Sequence, residues 1–201
     1  MKTIVFGGSF DPLHNGHIAV ADAVQANLTV DEFLWTPSWH AVHKLDIQPA
    51  SADFRVRCLE EVLLSRPQNE RLCSLEVDSQ RPCFSVDTLE QLARQDSSRE
   101  LSFLVGGDSL SHLNTWHDLP RLFATCNFLL VPRPQWGVLQ LNSYIEALPD
   151  ALRKIFRAQF VDMSVVDISS SDIRQRLAAG ADVLDMPDVV RGLIAAEKVY
   201  S

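Results

Sequence analysis

What this chain lacks narrows it before any motif is read. No run approaches the ~18 consecutive apolar residues of a membrane span. The apolar start, MKTIVFGGSF, breaks on glycine after about one strand's length instead of continuing as a signal peptide. Cysteine is sparse: Cys58, Cys73, Cys83 and Cys126 are scattered, with no C-x-x-C pair. That argues against a disulfide scaffold or a zinc site and for reduced thiols in a cytoplasmic protein. Positive charge is also scarce, 18 Lys and Arg standing against 26 Asp and Glu for a formal net charge of −8. Broad nucleic-acid binding needs a basic surface, so no nucleic-acid or membrane partner is expected. A local cation cluster beside a helix N-terminus can still hold an anionic ligand. There is no G-x-x-x-x-G-K-[ST], no G-x-G-x-x-G, no internal repeat and no low-complexity linker. A P-loop ATPase and a dehydrogenase are thereby disfavoured.

What is present is 201 residues, 46% apolar and 22% charged, enough for one domain over 1–201 with a sizeable core. Short apolar runs at 3–6, 32–36, 72–77, 101–105, 127–131 and 159–165 read as strands. Longer amphipathic stretches at 16–28, 51–65, 86–93, 171–179 and 187–199 read as helices. Residues 133–150 carry no assignment. The alternation predicts an α/β fold, a doubly wound, mostly parallel sheet with helices on both faces. Ligands of such sheets sit beyond the carboxyl ends of strands, near a topological switch point. The informative residues should follow strands, and they do, at 7–17, 37–44 and 106–116.

Residues 6–17 read FGGSFDPLHNGH. Gly7 and Gly8 let backbone amides approach a ligand after a buried strand, and the following helix start supplies unpaired N–H groups. Ser9 adds a hydroxyl, and His14 and His17 add imidazoles able to follow charge developing on a phosphate. The plainer alternative is a tight turn bearing two surface histidines. A metal pair is disfavoured, because metalloprotease histidines sit four apart with a glutamate between them.

This stretch resembles the G-x-F-x-P-x-H-x-G-H signature of the nucleotidylyltransferase superfamily. About 150 residues later, Ile168-Ser169-Ser170-Ser171-Asp172-Ile173-Arg174 resembles its I-S-S-T-x-I-R motif. Nearly the whole chain is similar to bacterial nicotinate-nucleotide adenylyltransferases. Supporting stretches are AVHK at 41–44, PCFSVDTL at 82–89, GGDSLSHLNTW at 106–116 and MPDVVRGLIAAEKVY at 186–200. The resemblance implies a Rossmann-like fold whose C-terminal helices, from about 168, complete the active site. It also implies AMP transfer from ATP to nicotinate mononucleotide, with Mg²⁺ held mainly by phosphates and water and no dedicated protein metal site.

Carried over position by position, His14, His17, Lys44 and Arg174 become the catalytic candidates. Gly7, Gly8, Ser9, Phe10, Gly106, Asp108, Ile168, Ser169, Ser170 and Ser171 would contact ATP or its phosphates. Ser85, Trp116 and His117 would contact the pyridine nucleotide. Each has a plainer competitor: Lys44 as a solvated loop lysine, the serines as a helix cap, Trp116 as core. Arg176 reads as a surface charge facing elsewhere. Ser171 replaces the motif's threonine but keeps its hydroxyl; the other departures lie on the acceptor side, where P-P-H-K becomes Ala41-Val42-His43-Lys44 and Y-T becomes Phe84-Ser85. Nicotinamide mononucleotide, another phosphomonoester, or a catalytically silent nucleotide-binding regulator are the alternatives. The oligomeric state stays open, a homodimer among the options.

Overall fold

A computed structural model describes residues 1–40 and 49–200. In chain order its elements are β1 (Lys2–Gly8), α1 (Asn15–Asn27), β2 (Glu32–Pro37), α2 (Ala52–Leu63), β3 (Glu70–Leu72), α3 (Leu75–Asp78) and α4 (Ser85–Gln95). They continue as β4 (Glu100–Gly106), the 3₁₀ turns Gly107–Ser111 and Leu113–Thr115, α5 (Leu119–Thr125), β5 (Asn127–Val131), α6 (Val138–Ala147), α7 (Asp150–Arg153), β6 (Ala158–Phe160), α8 (Ser170–Ala178) and α9 (Asp188–Glu197). The strands form one sheet in the order β3-β2-β1-β4-β5-β6. Every neighbouring pair is parallel, with Val5 opposite Leu34 on one side and Phe103 on the other.

The continuous apolar strands follow from burial on both faces. Successive side chains point to opposite layers. Ile4, Phe6, Phe33 and Trp35 join α1, α2, α8 and α9 in one core layer. Val5, Leu34, Phe103 and Val105 join α4, α5 and α6 in the other. The doubly wound arrangement expected from the alternation is the one observed. The order reverses between β1 and β4, so their carboxyl ends open a crevice there.

Two strand expectations need correction. The third covers Glu70–Leu72 instead of 72–77. Cys73 N–H still donates to the Trp35 carbonyl (2.8 Å), after which Ser74 and Asp78 bond side chain to side chain (2.6 Å) across the α3 turn. The sixth stops at Phe160 instead of 165, the Val161 N–H to Leu130 carbonyl bond (2.9 Å) being its last ladder contact. Residues 133–150 hold α6, opened by Gly137 whose N–H donates to Gln140 Oε1 (2.9 Å), and the start of α7.

A buried carboxylate ties down the β3 edge. Glu70 accepts from Trp35 Nε1 (2.9 Å) and from Arg66 Nε and Nη2 (2.9 and 2.7 Å). Arg66 also pairs with Asp22 of α1 (2.6 Å). All four cysteines are free, and burial pushes the Cys58 thiol up to about 11 and Cys126 up to about 12, so both stay protonated. Among the described residues, no helix is long and apolar enough to cross a membrane.

Phe128 is fully buried, its ring centroid 5.5–6.2 Å from those of Phe103, Phe123 and Phe156. Phe128→Ala leaves a cavity that this cluster can only partly refill. It should lower stability by about 3–5 kcal/mol in urea unfolding followed by circular dichroism, whereas a loss near zero would mean the cluster repacks.

Candidate active site

The loop from β1 to α1 is shaped by close packing. A Cβ on Gly7 would sit 2.9 Å from the Phe103 ring. Phe10 takes a positive φ of 47°, an uncommon and costly conformation for a side-chain-bearing residue. Its ring, 2% exposed, wedges against Phe6, His17 and Trp35 with centroids 5.0–5.6 Å away. Gly16 explains the H-N-G-H spacing. A Cβ there would meet the His14 ring at 2.9 Å and Ile168 at 3.3 Å, so glycine lets the two remote motifs touch. The first amide of α1 is already used, Asn15 N–H donating to the Asp185 carbonyl (2.8 Å).

The two imidazoles stack, with centroids 3.7 Å apart and planes 29° from parallel. His17 Nδ1 accepts from the His14 backbone N–H (3.2 Å). That bond assigns the His17 proton to Nε2. Burial, with the Arg133 charge adding to it, pushes His14 down to about 4. Burial, then His14 and Arg133, holds His17 well below 6.5. At neutral pH both rings are therefore uncharged, as such close stacking requires. His14 Nδ1 is buried with no hydrogen-bond partner among the described residues. Such an atom is costly unless something polar reaches it.

The second motif arrives on α8, capped by Ser169, whose Oγ accepts from Ser171 N–H (3.2 Å). Ser170 Oγ donates to the Pro12 carbonyl (3.2 Å). Arg174 Nη1 donates to the Asp11 carbonyl (2.6 Å) and Nη2 to Ser171 Oγ (3.2 Å). Arg176, two positions on, turns away to Asp185 (2.7 Å) and Asp172 (3.4 Å).

Two cavities open side by side at the crevice. A polar one of about 430 Å³ is lined by His14, His17, Ile168, the three serines and Arg174, with Phe10 and Asp108. An aromatic one of about 410 Å³ is lined by Phe84, Ser85, Phe103, Trp116 and His117. Ser9 lines both. Gly7, Gly8 and Gly106, expected beside the nucleotide, line the aromatic cavity, because the β1 and β4 ends face it. Trp116 is both wall and core, its ring edge-on to Phe103 at 6.1 Å. Phe84 stacks on His117 at 4.2 Å. Lys44 lies outside the described residues.

Three residues escaped the motif reading. Arg133, just past β5, lines the polar cavity and donates through Nη1 to the Val166 carbonyl (3.2 Å). Its signal was its position, a cation directly after a buried strand. Arg55 is 1% exposed and binds four backbone carbonyls, those of Ala50, Ser9, Ser38 and Trp39, at 2.6–3.1 Å. It locks the loops after β1 and β2 to α2, and the helical pattern alone hides it. Glu76 lines the aromatic cavity, where burial raises its carboxyl to about 7 while the Thr88 hydroxyl donates to it (2.9 Å).

Among the described residues, no group of three or more His, Cys, Asp or Glu is placed to hold a metal. Asp108 and Asp167 give the polar cavity carboxylate oxygens, the Asp108 side chain being 59% exposed. That donor set suits a Mg²⁺ that takes most of its ligands from phosphate and water.

Comparison with known proteins agrees with this architecture. The cytidylyltransferase-like family matches residues 5–176. The chain is 32% identical, over 98% of its length and 90% of the relative's, to a protein of Thermomicrobium roseum named "probable nicotinate-nucleotide adenylyltransferase". A Shewanella sp. (strain W3-18-1) protein of the same name is 33% identical over 100% of this chain and 99% of its own. Among solved structures, Plasmodium falciparum nicotinic acid mononucleotide adenylyltransferase complexed with NaAD superposes with a TM-score of 0.79. It covers 99% of this chain and 97% of that one at 17% identity, a likeness of fold.

The depressed histidine has a consequence for stability. His14 stays neutral in the fold down to about pH 4, whereas in the unfolded chain it binds a proton near 6.5. Between those values the unfolded state holds more protons, so stability falls as pH is lowered. This group contributes at most about 1.4 kcal/mol per pH unit. His14→Asn should flatten the fall between pH 6.5 and 4.5 in urea titrations. An unchanged slope would mean that His14 is charged in the fold.

Proposed function

This chain belongs to the cytidylyltransferase-like family and is a nucleotidyltransferase, and from that premise we propose that it transfers AMP from ATP to nicotinate mononucleotide, giving deamido-NAD and pyrophosphate. One observation carries the reading. A cavity walled by His14, His17 and Arg174 adjoins an aromatic cavity walled by Ser85, Trp116 and His117, and Ser9 borders both. ATP phosphates would lie in the first and the pyridine nucleotide in the second, so that acceptor phosphate and α-phosphorus meet near Ser9. The names of the relatives point to the same reaction.

The acceptor phosphate is itself the nucleophile, so the chain's task is alignment and charge stabilisation. Neutral His17, with its proton on Nε2, would donate to the α-phosphate as charge builds there. The unpartnered Nδ1 of His14 would take up a polar partner that the polyphosphate or its water supplies. Arg174 would hold the β- and γ-phosphates as they leave, its planar fork matching phosphate oxygens. Ser169, Ser170 and Ser171 at the α8 start would add hydroxyl and backbone donors. Lys44 would offer a point charge to the acceptor phosphate. Mg²⁺, arriving with ATP near Asp108, would offset charge on the departing pyrophosphate. Trp116 would supply a flat face for the pyridine ring.

Purified protein with ATP and Mg²⁺ should release pyrophosphate with nicotinate mononucleotide. Faster turnover with nicotinamide mononucleotide or phosphopantetheine would overturn the acceptor assignment. His17→Ala should lower kcat by at least about 10²-fold with the fold intact by circular dichroism; near-normal pyrophosphate release would refute the role of His17. Trp116→Ala should raise the acceptor KM more than the ATP KM, and equal effects would return Trp116 to a purely structural part.

A further inference from the structure

The penultimate residue of the chain reaches the loop between β1 and α1. Tyr200 Oη donates to Asp11 Oδ1 (2.5 Å), across 189 positions of sequence. The same oxygen accepts from the Ala50 N–H just before α2 (3.1 Å). Asp11 is 4% exposed, so its charge is nearly out of water. Its other oxygen, Oδ2, lies 3.6 Å from Arg174 Nη1, while that same nitrogen bonds the Asp11 main-chain carbonyl at 2.6 Å. Arg174 is thus held firmly by a neutral carbonyl and only loosely by the neighbouring carboxylate.

We infer that Tyr200 is a positioning residue for the reaction: by occupying one oxygen of the Asp11 carboxylate, it keeps Asp11 from capturing Arg174 and leaves that guanidinium to the polyphosphate. The inference rests on the reading of the polar cavity as the triphosphate site.

The physical argument is one of competition. A buried carboxylate needs its lone pairs filled, and the strongest filler within reach is a guanidinium in bidentate contact. With Oδ1 already taken by a phenol and an amide, turning toward Arg174 would abandon two hydrogen bonds. Without the phenol, rotation into a bidentate pair becomes favourable, and a guanidinium so paired makes a poorer phosphate clamp. A guanidinium carries five N–H donors. The bonds to the Asp11 carbonyl and Ser171 use two of them, so a loosely held Arg174 keeps others for a ligand. The second cation near Asp11 is Arg55, which already serves four carbonyls.

Tyr200 is built for such a role. Its backbone sits at a φ of 67°, two residues after Lys198 at 55°, so the chain leaves α9 through left-handed positions that bring the ring inward. That ring lies edge-on to Phe54 of α2, centroids 6.5 Å apart. Burial first, then the Asp11 charge, pushes the phenol far above its ordinary range, so it remains a donor at any working pH.

Tyr200→Phe tests this, because it keeps the ring and removes only the donor. Initial rates are measured with ATP varied and with the acceptor varied, alongside thermal unfolding. The expected result is an ATP KM raised by about tenfold, the scale of a lost hydrogen bond to a charged group, with the acceptor KM and Tm almost unchanged. In an Asp11→Asn background the same substitution should add little, because the two residues act as one unit. Unchanged ATP kinetics would overturn the inference. So would a parallel rise in both KM values with a lowered Tm, which marks a merely structural tyrosine, or full additivity with Asp11→Asn. Binding of a non-hydrolysable ATP analogue, read by calorimetry, repeats the comparison without any acceptor. A wild-type protein that binds the analogue but ignores nicotinate mononucleotide would sink the acceptor assignment and leave this inference standing.

Discussion

A wall that is to receive a polyanion must be assembled from cations and imidazoles without letting them be neutralised in advance. Arg174 and the two imidazoles of the polar cavity bear the mark of that constraint. Arg174 is anchored through the Asp11 carbonyl, a dipole, and stands 3.6 Å from the carboxylate that could have paired it fully. The imidazoles of His14 and His17 are kept uncharged by burial, which removes the repulsion that two stacked imidazolium rings would suffer. On the proposed reading, neutral imidazole N–H groups and a guanidinium anchored on a carbonyl would meet an arriving triphosphate without first having to shed a partner charge.

The sheet order supplies the second requirement, that two reactants meet. Because the strand order reverses between β1 and β4, their parallel carboxyl ends lie side by side and open a crevice. The loop after β1 feeds the polar cavity through His14 and His17, and the turn after β4 feeds both cavities through Gly106 and Asp108. On the proposed reading, holding two phosphates at one seam would turn an encounter into a positioned step, the main source of acceleration where no covalent intermediate forms. Arg55 keeps the seam in place by gathering four carbonyls from three segments, a use of buried charge that offsets its desolvation with hydrogen bonds.

Much of this was legible in the chain, and the reasons are physical. β1, β2, β4 and β5 are apolar on both faces, so their runs stand out, and glycine or proline follows each closely enough to mark its end. The third and sixth strands are edge strands of three residues, too short for any period to show. The two motifs that line the polar cavity were legible because each is a short, dense run of glycine, histidine, serine and arginine at fixed spacing. Arg55 was not, because on a helix an arginine four residues after a serine cap looks like surface. Its burial depends on loops that fold back from β1 and β2. Arg133 and Tyr200 bond partners 33 and 189 positions away, and a single sequence carries no signal at such separations.

The two cavities also differ in how sharply their chemistry can choose. Directional donors fill the polar one, and a ligand lacking matching acceptors would leave buried groups such as His14 Nδ1 unpaired, a heavy penalty. The aromatic cavity offers the stacked Phe84–His117 pair and the Trp116 face, surfaces that accept almost any flat ring. Apolar walls discriminate by only about 1–3 kcal/mol for a small change in ligand size, whereas polar groups that must be satisfied discriminate far more. On the proposed reading, selection among acceptors would fall to polar groups lining it, Ser85, His117 and the Glu76 carboxyl among them. Burial places that carboxyl near the boundary between neutral donor and charged acceptor. Reaction type would then rest on the polar cavity and acceptor identity on the aromatic one. Of the departures from the resembled motifs, Phe84-Ser85 in place of Y-T falls on the aromatic cavity, while Ser171 in place of threonine keeps its hydroxyl in the polar one.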